Sequence, residues 1–311
     1  MAKANYIPVV IAFTPNYVVP AATTVLSILN SSSKTDNFQF ICLLNENLSQ
    51  KLKENFESVD TDNRCKFQYL LLDVDLLKGI DIDSRYSAAA YFRLLLPNLL
   101  TNYDKVIYTD CDVIFRNNIS QIYNTNITDY FLAAVYESPL KFQKERIHNL
   151  GIAPGKYFNS GVLLMNLKKL RDENLSQQMI EKLQTVVEIE FPDQDVLNIC
   201  CKSKLQPLPP HYNSIRTFFL TQYKKEFLEI YSLTDLQNVI EYGNIHYTGE
   251  KPWKAFTVEF DTWWRHFDRL PNVLKQQLNF DKKLYYFYKL YRNPLGRLIT
   301  ESARKIYRLV K

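Results

Sequence analysis

Glycine is scarce in this chain: only seven occur among 311 residues, where average usage is about 7%. No internal repeat or low-complexity segment is evident, so each glycine marks a position worth placing. Long apolar runs are also missing. None approaches the roughly 20 residues needed to cross a bilayer, which excludes a membrane-spanning helix. The N-terminal run Ile7-Pro8-Val9-Val10-Ile11-Ala12-Phe13 is short, holds a proline and lacks a small-residue cleavage site, so it reads as a first buried strand and not as a signal peptide. The five cysteines (Cys42, Cys65, Cys111, Cys200, Cys201) are odd in number and show no metal-site spacing. Reduced thiols in a cytoplasmic protein are the expectation. A strong overall charge is absent as well. The net charge of +5 is concentrated at one end: residues 282–311 carry nine Lys and Arg against one Glu, leaving the preceding 281 residues at −3. A protein that coats nucleic acid is thereby excluded, and the basic character belongs to the tail.

What is present is an ordinary soluble composition, 46% apolar and 23% charged, long enough for one large domain or two. Short apolar runs alternate with helical periodicity. Val9 to Phe13 reads as a strand, followed by a helix through Val25, Leu26, Ile28 and Leu29. Phe38 to Leu44 is a second strand. Leu48, Leu52 and Phe56 follow at i, i+4, i+8, a helix that Asn47 or Ser49 would cap. Phe67 to Leu72 and Lys105 to Thr109 are further strands. This β-α-β-α rhythm predicts an α/β domain with a largely parallel sheet, whose ligands bind outside the carboxyl ends of the strands.

At one such end stands Tyr108-Thr109-Asp110-Cys111-Asp112. In an extended segment residues i and i+2 point to the same side, so Asp110 and Asp112 are expected to face one hard divalent cation together. The bland alternative is a surface turn or a helix N-cap. Gly161, opening the strand Val162 to Asn166 directly after Phe158-Asn159-Ser160, suggests a backbone that something approaches closely. Gly151 and Gly155 bracket a loop beside Pro154. In Pro192-Asp193-Gln194-Asp195 one acid suits a helix N-cap and the other the helix dipole, while Gln194 is left to face a cleft. His246 is a candidate third ligand beside two carboxylates for Mn2+, although a lone histidine is more often structural. Lys251 offers a compact positive charge for phosphate oxygens. Trp253, Trp263 and Trp264 read as core or cleft wall.

Together these segments resemble glycosyltransferase family 8, the retaining nucleotide-sugar transferases of GT-A fold, and within it the bacterial lipopolysaccharide galactosyl- and glucosyltransferases. Six blocks match in order across about residues 7–253: Ile11 to Tyr17, Ala90 to Leu94, Tyr108 to Asp112, Phe158 to Val162, Asp193 to Asp195, and His246 to Gly249 with Lys251-Pro252-Trp253. The resemblance implies a Rossmann-like, mixed and mostly parallel sheet flanked by helices, in a domain of residues 1–255. It implies that Ala12, Asn16 and Tyr17 hold the uridine of UDP-galactose or UDP-glucose, with Tyr17 stacked on uracil. Asp110, Asp112 and His246 would bind Mn2+, or Mg2+, with Cys111 between the acids in the same donor-binding set. Arg93, Asn159 and Ser160 would line the donor sugar and phosphates, Asp193 and Gln194 would surround the hexose as catalytic candidates, and Gly249 and Lys251 would contact the diphosphate. Two positions depart from the pattern. Thr14 stands where many relatives carry an acid, making the base contact a hydroxyl one, and Arg85 stands near a position that in some relatives is a phosphate-touching histidine.

Retention through a covalent intermediate needs a carboxylate. Gln194 is a poor nucleophile, so same-face attack is expected, with Asp193 as the other candidate. A D-x-D phosphatase of the haloacid dehalogenase type wants the acidic pair on the first strand with Thr two residues on; here Ile114 occupies that place and the first strand has no acid. A non-catalytic nucleotide-sugar or glycan-binding protein is the remaining alternative. Residues 256–311 are expected to form a helical, basic and aromatic extension that docks on the cytoplasmic membrane face, near a lipid-linked saccharide acceptor. One helical wheel places Leu295, Leu298, Ile299, Ile306, Leu309 and Val310 opposite Arg297, Arg304, Arg308 and Lys311. An ordinary core-covering helix would show the same apolar arc.

Overall fold

The computed structural model describes residues 6–77, 88–186 and 189–298. In chain order its strands are β1 (Tyr6–Ala12), β2 (Asn37–Leu44), β3 (Cys65–Leu71), β4 (Lys105–Thr109), β5 (Val113–Ile114), β6 (Leu132–Ala134), β7 (Val162–Asn166), β8 (Leu205–Pro207), β9 (Ser214–Ile215) and β10 (Ile245–His246). Seven of them form one sheet in the order β3-β2-β1-β4-β7-β6-β8, and three form a second in the order β5-β10-β9. The large sheet is mostly parallel, with β7 alone running against both of its neighbours.

Alternation along the central strands sorts side chains onto two apolar layers. Val9, Ile11 and Ile107 join one layer, while Val10, Ala12, Val106 and Tyr108 join the other. A sheet covered on both faces explains why these strands read as continuous apolar runs. The helix Val18–Ser31 lies on the first layer with most of its residues buried. Its Ser27 Oγ accepts from the backbone N–H of Phe115 at 2.9 Å, tying the helix to the end of β5. The expected cap holds at the helix Gln50–Glu57, where the Ser49 side chain accepts from the N–H of Leu52. From β1 the chain runs outward through β2 and β3, then returns to place β4 on the other side of β1. That reversal opens a crevice at the carboxyl ends of β1 and β4.

The expected division at residue 255 coincides with no break in the core. In the helix Phe260–Arg269, Trp263, Trp264 and Phe267 belong to the same apolar layer as Val9 and Val25. The helix Lys282–Tyr291 packs onto them: Tyr288 is buried and stacks on Trp264 with ring centroids 6.0 Å apart. Asp268 fastens the two helices, accepting from Tyr285 Oη (2.7 Å), Tyr288 Oη (3.1 Å) and Lys289 Nζ (2.7 Å). This first part of the basic extension is therefore bound into the core. Tyr286, Leu290, Leu295 and Leu298 remain exposed. Ile299 to Lys311, most of the expected wheel, lie outside the described residues. Among the described residues no helix is long and apolar enough to cross a membrane.

Candidate active site

A cavity of about 1010 Å3 opens at the crevice between β1 and β4. At its floor the structure corrects one expectation. The strand does not run on through the acidic pair: β4 ends at Thr109, and Cys111 and Asp112 form the turn by which the chain enters β5 in the other sheet. Two backbone bonds pin this turn, from Asp110 N to Gly161 O (2.8 Å) and from Tyr247 N to Asp112 O (3.1 Å). The carboxylates converge because the turn is held between two sheets, not because of strand alternation. His246, on β10, completes the group, with its Nε2 3.6 Å from Asp110 Oδ2 and 3.4 Å from Asp112 Oδ1.

Among the described residues this trio is the one cluster able to hold a metal ion, its ligand atoms all within 4.8 Å of one another. Its chemistry fits a divalent cation such as Mn2+: carboxylate oxygens with one imidazole nitrogen. Asp112 Oδ1 is buried without a hydrogen-bond partner, the condition of an atom awaiting a cation. The imidazole is also oriented for ligation. His246 Nδ1 lies 3.0 Å from Asn213 Oδ1; an amide oxygen only accepts, so Nδ1 carries the proton and the Nε2 lone pair faces the carboxylates. Gly161 forms the wall behind: a Cβ there would stand 2.1 Å from His246 Cε1 and 2.9 Å from Asp110 Oδ2. The close approach expected at this glycine is made by the ligands themselves.

Two cations flank the acids. Lys251 Nζ donates to Asp112 Oδ2 and, at 2.7 Å, to Tyr247 O. Buried Arg93 pairs with Asp110 (Nη2 to Oδ1, 2.7 Å) and with Asp193 (Nε to Oδ2, 3.2 Å). Burial alone would raise Asp112, but its cationic surroundings, Lys251 foremost, outweigh it and hold that carboxyl well below its usual range. At Asp110 burial, reinforced by Asp112, wins over Arg93 and pushes the carboxyl up. Burial would lower Lys251, and Asp112 raises it instead.

Ala12, Thr14 and Tyr17 line the same cavity. Tyr17 meets Trp253 edge-on at 6.0 Å, and burial raises its hydroxyl. The single 3-10 turn Pro15–Tyr17 aims Tyr17 inward and leaves Asn16 exposed, outside the lining. Cys111, Asn159, Ser160, Asp193, Gln194 and Gly249 all face the cavity. Gly249 has φ +80°, a conformation suited to glycine. Arg85 lies outside the described residues.

Opposite the acids, the helix Pro192–Cys201 presents Asp193 and Gln194 from its first turn. It is docked by Asn198, which exchanges two 2.8 Å bonds with the backbone of Phe158. Asp193 accepts from Ser160 Oγ at 3.2 Å. Gln194 Oε1 accepts from Asn159 Nδ2 and Ser160 N, each at 3.0 Å. Glu137, a cavity-lining acid that sequence reasoning missed, accepts from Asn159 Nδ2 at 2.8 Å and Gln194 Nε2 at 3.1 Å, and burial raises its carboxyl. The signal for it was available: like Asp110, it follows an apolar run, Phe131 to Val135, at the carboxyl end of a strand. Asn213, also missed, carries no comparable signal.

The family model for glycosyl transferase family 8 matches residues 8–257. A lipopolysaccharide 1,2-glucosyltransferase of Escherichia coli strain K12 is 29% identical over 250 residues, 78% of this chain and 71% of that protein. A lipopolysaccharide 1,3-galactosyltransferase of Salmonella typhimurium is 26% identical over 273 residues, 82% of this chain and 78% of that protein. A putative glycosyltransferase of Haemophilus influenzae is 28% identical over 208 residues, 66% of this chain but only 62% of its own length. Among solved structures, the galactosyltransferase LgtC in complex with donor and acceptor sugar analogues superposes with a TM-score of 0.72 at 22% identity, covering 88% of this chain and all of that one. That likeness shows the fold, and the sequence match shows the family: the chain belongs to glycosyl transferase family 8.

Proposed function

We propose that this protein transfers a hexose, galactose or glucose, from a UDP-sugar to a saccharide acceptor with retention of configuration. The observation that carries the reading is the shared cavity, with Asp110, Asp112, His246 and Lys251 at one end and Asp193, Gln194 and Glu137 at the other. Breaking the anomeric C–O bond builds negative charge on the departing UDP and positive charge on the sugar. A divalent cation bound by the trio, Mn2+ or Mg2+, would supply Lewis-acid stabilisation of the diphosphate. Lys251 and the Gly249 backbone add positive charge and close approach to the same oxygens. Tyr17, Ala12 and Thr14 form the floor for uridine. Arg93 and Ser160 hold Asp193 in an ion pair and a hydrogen bond, which leaves its carboxylate a weak nucleophile and favours same-face attack over a covalent intermediate. The amide of Gln194 then stabilises positive charge on the sugar.

The names of the relatives support a lipopolysaccharide-type, lipid-linked acceptor. The exposed Leu295 and Leu298, beside a basic segment, support docking on an anionic membrane surface at the cytoplasmic face. The experiment that tests the function is UDP release from UDP-galactose and UDP-glucose, with and without Mn2+. Turnover of one donor that requires the cation is expected. No release from either donor in the presence of Mn2+ and a saccharide acceptor overturns the reading.

A further inference from the structure

Gln194 is held more completely than a side chain at a helix start requires. Its Nε2 donates to Glu137 Oε1 (3.1 Å) and to Tyr157 Oη (2.9 Å), and its Oε1 accepts from Asn159 Nδ2 and Ser160 N (3.0 Å each). All four hydrogen-bonding positions of the amide are filled. Turning it over would set its NH2 against the N–H groups of Ser160 and Asn159 and its oxygen against the Glu137 carboxylate.

One neighbour, Tyr157, could in principle serve either orientation, because a hydroxyl both donates and accepts. Its proton is already committed. Tyr157 Oη donates at 2.5 Å to Asp195 Oδ1. Asp195 is fully buried, and its other oxygen accepts from Arg146 Nη1 (2.8 Å), Glu190 N (2.9 Å) and Phe191 N (3.0 Å). A carboxylate only accepts. Tyr157 must therefore point its hydrogen at Asp195 and a lone pair at Gln194. Burial, reinforced by Asp195 and Glu137, keeps the Tyr157 hydroxyl neutral.

We propose that Tyr157, Asp195 and Arg146 are positioning residues: together with Glu137 and the Ser160 N–H they fix where, and which way round, the Gln194 amide stands. Its oxygen is kept on the Ser160–Arg93 side of the cavity and its NH2 on the Glu137 side. The functional weight of this relay rests on the hexosyltransferase reading, in which Gln194 faces the reacting sugar. The arrangement also assigns a role to Asp195, which its place in the first helical turn alone explains as a complement to the helix dipole.

The test exploits the direction of the hydroxyl. In Asp195→Asn the amide oxygen takes the place facing three donors, so its NH2 faces Tyr157. The hydroxyl must then accept from that NH2 and turn its hydrogen toward the Gln194 NH2, which loses its acceptor there and is pushed off the place where Glu137 and Ser160 hold it. With side-chain 15N-labelled glutamine in the full-length protein, the Gln194 resonance is identified by its loss in Gln194→Ala. Asp195→Asn should displace it, and adding Tyr157→Phe, which removes the reversed hydroxyl, should return it toward the wild-type position. Turnover of UDP-hexose should follow: kcat down about 100-fold in Asp195→Asn, about tenfold in Tyr157→Phe and about tenfold in the double variant, with donor KM little changed. A resonance unmoved by Asp195→Asn, or a double variant worse than either single, overturns the relay. Should Asp195→Asn fail to fold, Tyr157→Phe decides in the Gln194→Ala background, where it should cost nothing further and an additional loss refutes the proposal. Wild-type protein that turns over no UDP-hexose sinks the hexosyltransferase reading, while the resonance still judges the relay.

Discussion

A single methyl group added at Gly161 should dismantle the cation site from behind. The new Cβ would lie 2.1 Å from His246 Cε1, 2.6 Å from His246 Nδ1 and 2.9 Å from Asp110 Oδ2. Ordinary carbon–carbon contact begins near 3.5 Å, so the imidazole must retreat by about 1.4 Å or more. The 3.0 Å bond from His246 Nδ1 to Asn213 cannot survive such a move. Two ligands are displaced at once, since Asp110 must shift too. Loss of a group that orients a metal ligand typically weakens metal binding about 10–100-fold, and a misplacement of about 1 Å near the chemistry can cost about 100-fold in rate. Gly161→Ala is therefore expected to lower Mn2+ affinity at least tenfold and turnover of UDP-hexose by about 100-fold. The overpacking cost to folding should stay within about 1–3 kcal/mol. Calorimetric titration with Mn2+, UDP-release kinetics and thermal melting read the three quantities separately. A folded Gly161→Ala protein with wild-type Mn2+ affinity and turnover would show that the trio is not the cation site.

Asp112→Asn should abolish cation-dependent turnover in a protein that still melts cooperatively, and His246→Ala should weaken Mn2+ binding less, since a neutral ligand is lost and not a charge; near-normal rates in Asp112→Asn contradict the assignment. Tyr17→Ala should raise the UDP dissociation constant, weakening binding by about 1–3 kcal/mol, the usual range for base–aromatic stacking, and an unchanged calorimetric affinity would assign Tyr17 to packing alone. Glu137→Gln keeps the one oxygen that accepts both hydrogen bonds and removes a buried charge. Burial raises the folded-state pKa of Glu137, so its charge destabilises the fold as pH rises above the unfolded value of 4.5, and below 4.5 both states are protonated. The variant should accordingly melt higher than wild type at pH 7, with the difference vanishing in acid; a lower melting point at pH 7 refutes this. Removing residues 293–311 should leave a folded, active protein that no longer sediments with anionic vesicles, whereas removing residues 282–311 uncovers Trp264 and the Asp268 hydrogen bonds and should unfold it; vesicle binding that survives the shorter deletion ends the membrane proposal.

Much of this site was legible in the sequence because its residues stand where apolar strands end. Ala12, Asp110 and the Asn159-Ser160-Gly161 segment each adjoin a run whose burial could be read from composition alone. The reason given for the convergence of Asp110 and Asp112 did not hold. A period-two argument presumes that the strand continues, and whether Val113 extends β4 or begins a strand in another sheet depends on pairing with Ile245 and His246, distant in sequence. Asn213 was invisible for the same reason: its meaning comes from an imidazole placed beside it by β9 and β10. The basic, aromatic C-terminal extension is expected from its sequence to dock on a membrane, yet its Tyr285 and Tyr288 cover Trp264, and Tyr285 also meets Phe267. Amphipathic periodicity tells that a face is covered without naming what covers it.

The small sheet β5-β10-β9 ties together parts of the chain that emerge far apart during synthesis; Lys251 and Asp112 are 139 residues apart. Bringing together parts so distant in sequence is slower than local pairing, so the floor of the cavity is expected to form after the β1-β2-β3 layer. A cation held by the trio, as proposed, would act as a rivet between two sheets. It favours the closed form by mass action, about 2.7 kcal/mol at a hundredfold excess over its dissociation constant. Protein stripped of that ion would thereby be the form whose second half opens most readily, and the proposed ion would bear on the lifetime of the protein as well as on its rate.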